Sequence, residues 1–340
     1  MAEKQLIIEG FAPNCLMGVT GAIVKYKGYT ENINRLYFHA SYLYERKEGK
    51  IYSPEKNTMN VEFSRELPMT KEVFQERLRG YYGLEYFYHE YSDFEEMVSV
   101  LEEYTRLGEP IMVEIDFFFM KKYRHYGNVH SQHMMIVEKI DREKKVFHVC
   151  EAVFGHFEMS FEEYFSYFQD VIRNRKRNIF LLKVSKKSQV KHAKIHPEWF
   201  LKDLEKTQMN FMEAANAVKG MKALIDFKTD FMSLFEEEIL QDDLVVPGMW
   251  VFMCDNMNNV NFIQEWKLDY PDFFSEAMEN IRKSSIIMNR KWFYISMALK
   301  DLKKYTSKDL EKAFATIEKA DNEFVDNIEP LKVDIMNYFN

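Results

Sequence analysis

The clearest pattern of apolar and polar positions in this chain runs from residue 110 to residue 155 and predicts three β-strands. Ile111 to Phe118 is a short apolar run rich in β-branched and aromatic residues, a composition that is typical of a strand. His133 to Ile140 and Lys145 to Cys150 are two further runs, separated only by the charged turn Asp141 to Lys144. Two strands joined by so short a loop form a hairpin, so this stretch predicts an antiparallel sheet.

The predicted hairpin brings two chemically useful side chains together. If a three-residue loop pairs Ile140 with Lys144, the same register places His133 opposite Glu151, with Cβ atoms about 5 Å apart. A slip of one residue would bring Ala152 opposite His133 and turn the imidazole and the carboxylate to opposite faces of the sheet. In the first register a histidine and an acid lie side by side at one end of the sheet, which is part of a catalytic triad.

A cysteine near the start of the chain is predicted to begin a helix. Pro13 and Asn14 indicate a turn, and Asn14 is a favourable N-cap for the helix-periodic stretch from Cys15 to Tyr26. A thiol at a helix N-terminus lies at the positive end of the helix dipole, which lowers its pKa and favours the thiolate. The alternative interpretation is that Cys15 is a small core residue, as most cysteines of this kind are.

The remaining patterns predict an α+β N-terminal domain and an all-α C-terminal domain. In the first domain the predicted helices and buried strand are Thr70–Arg79, Asp93–Leu107, Ser160–Phe168 and, as the strand, Ile179–Val184. Ser185–Pro197 is polar and basic and is predicted to be a linker. The predicted helices after the linker are Glu198–Met221, Ala223–Gln241, Val260–Trp266, Tyr270–Met288, Arg290–Lys303 and Lys308–Phe339. We therefore expect two domains, residues 1–187 and 188–340.

Composition narrows the classes of function. Hydrophobic residues make up 46% of the 340 residues, enough for a packed core, and the net charge of −8 argues against a protein that binds nucleic acid by neutralising phosphates. Three cysteines do not make a disulfide framework, which favours a reducing cytoplasm. The sequence predicts neither a secretory signal nor a membrane span.

The leading hypothesis for chemistry is Cys15 as nucleophile, His133 as general base and acid, and Glu151 as the acid that orients the imidazole. A thiol needs a neighbouring base to become a thiolate, and that base needs an acceptor on its other nitrogen to hold the productive tautomer. Cysteine, then histidine, then acid is also the chain order of papain-like hydrolases. A second hypothesis, a metal site built from His125, His130, His133 and Cys150, is disfavoured because no paired metal-ligand motif is present.

Other residues are candidates for supporting roles. Asn14 and Gln132 could supply an oxyanion-hole donor, and Asp116 and Tyr123 could shape the substrate site. The aromatic stretch Tyr29–Tyr44 could cover the mouth of the site. A basic run could be a solvated turn or a docking patch for an acidic partner; its candidate residues are Arg173, Arg175, Lys176 and Arg177.

Three segments of the first 185 residues together resemble the butirosin biosynthesis protein H family. They are NCLMGVTGAI, which starts at Asn14; EPIMVEIDFFF followed by a tyrosine-rich loop and HSQHMMIV; and VFHVCEAVFG, which contains Glu151. Glu151 stands where that family usually has aspartate, and its longer side chain can still reach an imidazole.

The resemblance implies a papain-like fold used for acyl transfer. It implies an acyl-Cys15 intermediate, an acyl carrier protein or other acyl-thioester donor, and a small amine acceptor, in secondary-metabolite biosynthesis. No cofactor is expected apart from phosphopantetheine on the carrier. The basic run Arg173–Arg177 would suit an acidic carrier protein. The alternatives left open are a peptidase or amidase, and a non-catalytic adaptor; an oligomer is also left open.

Overall fold

A computed structural model of the chain describes residues 6, 15–29, 33–47, 49–64, 71–123, 126–127, 130, 132–151, 154–176, 179–186, 194–212, 218–246 and 248–340. The chain folds as two compact units. One contains Met1–Ile33 and Lys71–Ala193, and the other contains Asn34–Thr70 and Lys194–Asn340. The sequence predicts two domains, each a continuous stretch of chain, residues 1–187 and 188–340. In the structure, residues 34–70 belong instead to the unit that holds the C-terminal helices.

The described elements are numbered here in chain order. The strands are β1 (Leu43–Arg46), β2 (Tyr52–Ser53), β3 (Thr58–Met59), β4 (Val61–Ser64), β5 (Leu84–Tyr91), β6 (Ile111–Asp116), β7 (Gln132–Asp141), β8 (Val146–Glu151), β9 (Gly155–Ser160), β10 (Ile179–Lys186) and β11 (Val218–Lys219). The helices are α1 (Cys15–Tyr26), α2 (Lys71–Tyr82), α3 (Phe94–Arg106), α4 (Phe161–Arg173), α5 (Pro197–Met212), α6 (Gly220–Glu236), α7 (Trp250–Asp269), α8 (Glu276–Ala298), α9 (Ser307–Asp326) and α10 (Ile328–Phe339).

The first unit is built on a six-stranded antiparallel sheet in the order β5-β10-β6-β7-β8-β9. One face carries buried apolar residues from alternate positions, such as Ile115, Met135 and Val149, and packs against α3 and α4. The alternate positions on the other face, such as Met112, Met134 and Ile136, are buried as well, so both faces of the central strands are covered. The predicted α+β character, with an antiparallel sheet in the N-terminal half and helices in the C-terminal half, is confirmed.

Local sequence explains where the helices of this unit begin. The side chain of Asp93 accepts a hydrogen bond from the Glu96 N–H, and that of Ser160 accepts one from the Glu163 N–H, so both residues are N-caps. Helix α1 spans Cys15–Tyr26, in agreement with the predicted helical stretch, and its predicted N-cap, Asn14, lies outside the described residues.

The predicted register of the β7–β8 hairpin is wrong. The structure pairs Asp141 with Val146, so the loop holds four residues instead of three, and Lys145 takes the left-handed backbone conformation with φ 55°. Nearer the end of the sheet Ile136 pairs with Cys150. His133 is therefore not directly opposite Glu151.

The second unit contains helices α5 to α10 and a chain segment from the N-terminal half. The side-chain amide of Asn259 bonds both the N–H and the C=O of His39, at 3.0 and 2.8 Å, and β1 pairs with β4 and β11. Tyr42 and Tyr44 are buried in the core of this unit. These aromatic residues of the predicted mouth, Tyr29–Tyr44, are thus core residues, because the helices supply the apolar surface that they need.

The second unit is helical, as predicted, but several helix bounds differ. The predicted segment Val260–Trp266 is part of the longer α7, and Lys308–Phe339 is two helices, α9 and α10. The two predicted segments Tyr270–Met288 and Arg290–Lys303 are largely one helix, α8, which begins after the N-cap Ser275. Within the described residues, no helix combines the length and the apolar character needed to cross a membrane.

Candidate active site

Cys15 lies at the first position of α1 and is half-buried. Burial by itself raises the pKa of its thiol. The hydrogen bond and charge of His133, together with the backbone N–H groups of Met134 and Leu16, act in the opposite direction, and the net pKa is lowered. These contacts all favour the thiolate, which is the nucleophilic form of a cysteine.

His133 lies near the start of β7, where it bonds both Cys15 and an acid. Its Nε2 is 2.7 Å from a carboxylate oxygen of Glu151, which leaves Nδ1 as the ring nitrogen for the thiol. Burial acts to lower the pKa of the imidazole. The hydrogen bonds and charges of Cys15 and Glu151 outweigh it and raise the pKa to about 9. The imidazole therefore holds its proton at neutral pH.

Glu151 reaches His133 diagonally across two strands. The register in which Ile136 pairs with Cys150 places Glu151 opposite Met135 at the next step, and His133 is two residues from Met135 on the same face. Diagonal neighbours in a sheet are about 7–8 Å apart at Cα, a gap that a long side chain can span. The fully buried carboxylate also accepts a hydrogen bond from the backbone N–H of Phe154.

An aromatic stack holds the imidazole from one side. The rings of Phe117 and His133 stack with centroids 4.2 Å apart, and Tyr123 stacks on the far side of Phe117 at 4.3 Å. Tyr123, a predicted substrate-site residue, is therefore a support for the ring that contacts the histidine. Sequence analysis missed the role of Phe117; the three consecutive phenylalanines after Asp116 are the signal that could have found it.

Cys15, His133 and Glu151 thus form one hydrogen-bonded chain from thiol to imidazole to carboxylate. The lowered pKa of the thiol and the raised pKa of the imidazole both favour a thiolate–imidazolium pair over a neutral thiol and imidazole. Such a pair can attack a carbonyl carbon and return a proton to a leaving group. The three predicted residues are brought together by the fold, although not through the predicted register.

Asp116 is buried and has a positioning role in the fold of the loop that follows it. Its carboxylate accepts hydrogen bonds from the Phe118 N–H at 3.0 Å and from the Arg175 guanidinium at 2.7 Å, and it lies 3.0 Å from Nδ1 of His130. The bond to Phe118 caps the single helical turn that presents Phe117 to His133. Asp116 therefore acts on the histidine through Phe117.

Gln132 and Asn14 are the two predicted candidates for an oxyanion-hole donor. Gln132 is exposed and pairs with Asp116 at the start of β7, so strand alternation turns it to the face opposite that of His133. Asn14 lies outside the described residues. His130 and His133 have different acidic partners, and the described part of the chain holds no group of three or more His, Cys, Asp or Glu side chains that could bind a metal ion.

The residues of the predicted docking patch differ in whether they contact other residues of the protein. Arg175 is committed to ion pairs with Asp170 at 2.9 Å and Asp116 at 2.7 Å, because a guanidinium can serve two carboxylates at once. Arg173 and Lys176 are exposed beside it. Arg177 lies outside the described residues.

Replacing Asp116 with alanine is expected to destabilise the protein by about 2–4 kcal/mol, because the Phe118 N–H and Arg175 lose a buried acceptor. Urea unfolding followed by circular dichroism measures this change. Asp170→Ala is the matched control, since it removes the more exposed carboxylate from the same arginine and should cost about 1 kcal/mol or less. Equal losses for the two variants would contradict the role given to Asp116.

Comparison with known proteins supports a relationship for part of the chain only. A search of curated proteins found none that matches. Residues 56–187, which include His133 and Glu151 but not Cys15, match the model of the DUF1839 N-terminal domain.

Proposed function

We propose that this protein is a cysteine-dependent acyltransferase or thioester hydrolase that works through an acyl-Cys15 intermediate. The observation that carries the proposal is the hydrogen-bonded chain from Cys15 through His133 to Glu151, with the thiol at the N-terminus of α1. A buried acid on one imidazole nitrogen and a thiol on the other is the arrangement that activates a cysteine nucleophile.

In the first step the Cys15 thiolate attacks the carbonyl carbon of an acyl thioester. The carbonyl π electrons move to oxygen, and the tetrahedral intermediate collapses when the C–S bond of the donor breaks. The departing sulfur takes the proton from the His133 imidazolium and leaves as a thiol. The products are acyl-Cys15, which is itself a thioester, and neutral His133, so the step is nearly balanced in energy.

In the second step an amine attacks the acyl-Cys15 carbonyl carbon. His133, now neutral, accepts the proton that the amine loses, and the C–S bond to Cys15 breaks as the amide forms. Glu151 stabilises the imidazolium that results. Water in place of the amine would give a carboxylic acid, which is the hydrolase reaction.

Developing negative charge on the carbonyl oxygen needs hydrogen-bond donors. The backbone N–H of Cys15 is one of the first four of α1, which have no partner within the helix, so it is suited to this role. We propose no second donor among the described residues. The aromatic stack of Phe117 and Tyr123 lies beside the imidazole and would limit the access of water to the acyl-enzyme.

Several finer features of the proposal rest on the resemblance to the butirosin biosynthesis protein H family. They are a papain-like fold for the first unit, a carrier-protein thioester as donor, a small amine as acceptor, and a cytoplasmic, biosynthetic role. The exposed Arg173 and Lys176 would contact an acidic carrier protein. The diagonal placement of Glu151 gives a physical reason for the departure from aspartate, because the longer side chain is needed to reach His133.

The proposal is tested by intact-mass spectrometry after incubation with an acyl-N-acetylcysteamine thioester. We expect one acyl adduct on Cys15, absent in Cys15→Ala and transferred to an added amine. Rapid loss of the adduct to water with no amide formed would favour the hydrolase, and cleavage of amide substrates without any thioester would favour a peptidase. An unmodified wild-type protein whose Cys15 reacts no faster than Cys150 and Cys254 would overturn the catalytic proposal and favour an adaptor.

A further inference from the structure

The β7–β8 hairpin contains two registers, separated by one extra residue. On the loop side Lys139 pairs with His148 and Ile140 with Phe147, whereas on the other side Val137 pairs with Val149. Glu138 is left between them without a partner in the ladder, which makes it the extra residue of a β-bulge.

The bulge decides the face of the sheet on which Glu151 lies. If the loop-side register continued to the end of the strands, Glu151 would be opposite Ile136 and would face away from His133. With the bulge, Glu151 is opposite Met135 and faces the same side as His133. The contact between His133 and Glu151 therefore depends on one inserted residue.

The side chain of Glu138 is anchored to the neighbouring strands. Its carboxylate lies 2.8 Å from Nδ1 of His156, which is two strands away on β9, and Nε2 of His156 lies 2.8 Å from the carbonyl oxygen of Leu6. His156 also lies 3.8 Å from the sulfur of Cys150, on the strand between them. Glu138 and His156 thus span β8 at the level of the bulge.

We propose that Glu138 and His156 are a positioning pair that holds the β7 bulge in place and thereby keeps Glu151 on the face that meets His133. This inference rests on the proposed function for its catalytic meaning. Glu138 and His156 themselves take no part in the proposed reaction of Cys15 and His133. Bulges next to functional sites commonly re-aim a side chain in this way.

The alternative is that core packing alone sets the bulge. Val137 and Ile140 are both buried, and they are three residues apart where regular alternation would separate buried positions by two. Packing of these two side chains therefore also requires the extra residue. The hydrogen-bonded pair Glu138–His156 is partly exposed, so its removal should change the stability of the fold little.

The test measures the rate at which iodoacetamide alkylates Cys15 between pH 5 and 10, by mass spectrometry of the Cys15 peptide. Glu138→Ala and His156→Ala are each expected to lower the rate at pH 6 by roughly tenfold, because the acid that holds the imidazole is misplaced. Glu138→Gln, which keeps an acceptor for His156, is expected to restore most of the rate. Glu158→Ala is the matched control, since it also removes a partly exposed carboxylate beside a histidine of this sheet, 3.6 Å from Nδ1 of His148, but leaves Glu138 and His156 in place, and it should leave the profile unchanged.

Glu151→Gln is the reference variant that distinguishes failure of the positioning pair from failure of the proposed triad. If Glu151→Gln lowers the rate while Glu138→Ala behaves like Glu158→Ala, the positioning pair is refuted and the proposed function stands. If Glu151→Gln itself leaves the profile unchanged, the proposed triad fails. Thermal unfolding of each variant, with a midpoint close to that of the wild type, excludes general loss of structure as the cause.

Discussion

Replacing His133 with alanine is expected to lower the rate at which iodoacetamide alkylates Cys15 at pH 6 by roughly 100-fold, as the thiol loses the partner that keeps it ionised. Burial raises the pKa of the Cys15 thiol, and the hydrogen bond and charge of His133 are the strongest contributions that lower it. Without them burial is the largest influence, and the pKa of the thiol rises. The rate measured against pH should therefore shift to higher pH in the variant.

The pH dependence of the proposed acyl transfer is expected to carry a second signature of the same pair. The pKa of His133 is raised to about 9, so the imidazolium is present below that pH and is lost as the pH rises through it. The leaving sulfur then has no proton donor, and the rate of acyl transfer should fall above about pH 9.

The control for the His133 variant is a histidine on the same hairpin. His148→Ala removes an imidazole that lies 3.6 Å from Glu158, and it should leave the alkylation rate of Cys15 unchanged. Cys150 and Cys254 are buried, so the adduct can be assigned to Cys15 and checked with Cys15→Ala. A His133→Ala protein whose Cys15 retains the wild-type profile would show that the histidine does not activate the thiol.

Shortening Glu151 to aspartate is expected to reduce the rate of acyl-Cys15 formation by roughly 100-fold, nearly as much as Glu151→Gln, because the imidazole loses the acceptor that orients it. The substitution keeps the charge and removes one methylene. Since Glu151 lies diagonally from His133, the shorter carboxylate cannot span the gap that the present 2.7 Å hydrogen bond closes. Single-turnover kinetics with an acyl thioester measure the rate of acylation directly.

A second substitution on the same strand distinguishes length from general disturbance. Val149→Ile also changes a buried β8 side chain by one methylene, but it keeps the site residues intact and should alter the rate little. If Glu151→Asp acylates at the wild-type rate, the carboxylate reaches His133 by another path and the diagonal geometry is not what selects glutamate.

The elements that carry the candidate site were largely predictable from the sequence, because they depend on local signals. Asn14 and the apolar periodicity after it indicate a helix that begins at Cys15, and the structure begins α1 there. The alternation of His133 to Ile140 and Lys145 to Cys150 indicates a hairpin with a histidine near the end of one strand and an acid at the end of the next. Helix starts and strand periods are properties of a few neighbouring residues, so they can be recognised without the fold.

The predicted register of that hairpin was wrong, since the register is decided by packing against the rest of the unit. The spacing of three between Val137 and Ile140, both buried, was a signal of the bulge that sequence analysis did not use. A register is a choice between alternatives that differ by one residue, and only the helices that cover the core face select one of them.

By itself, the sequence determined the helix that starts at Cys15, the antiparallel hairpin and the helical C-terminal half. Tertiary structure alone decided that Glu151 reaches His133 diagonally, that Arg175 pairs with Asp116 instead of remaining exposed, and that residues 34–70 join the helical unit. Each of these depends on residues far apart in the chain, whose contacts are set by the competition for buried apolar surface and for buried hydrogen-bond partners.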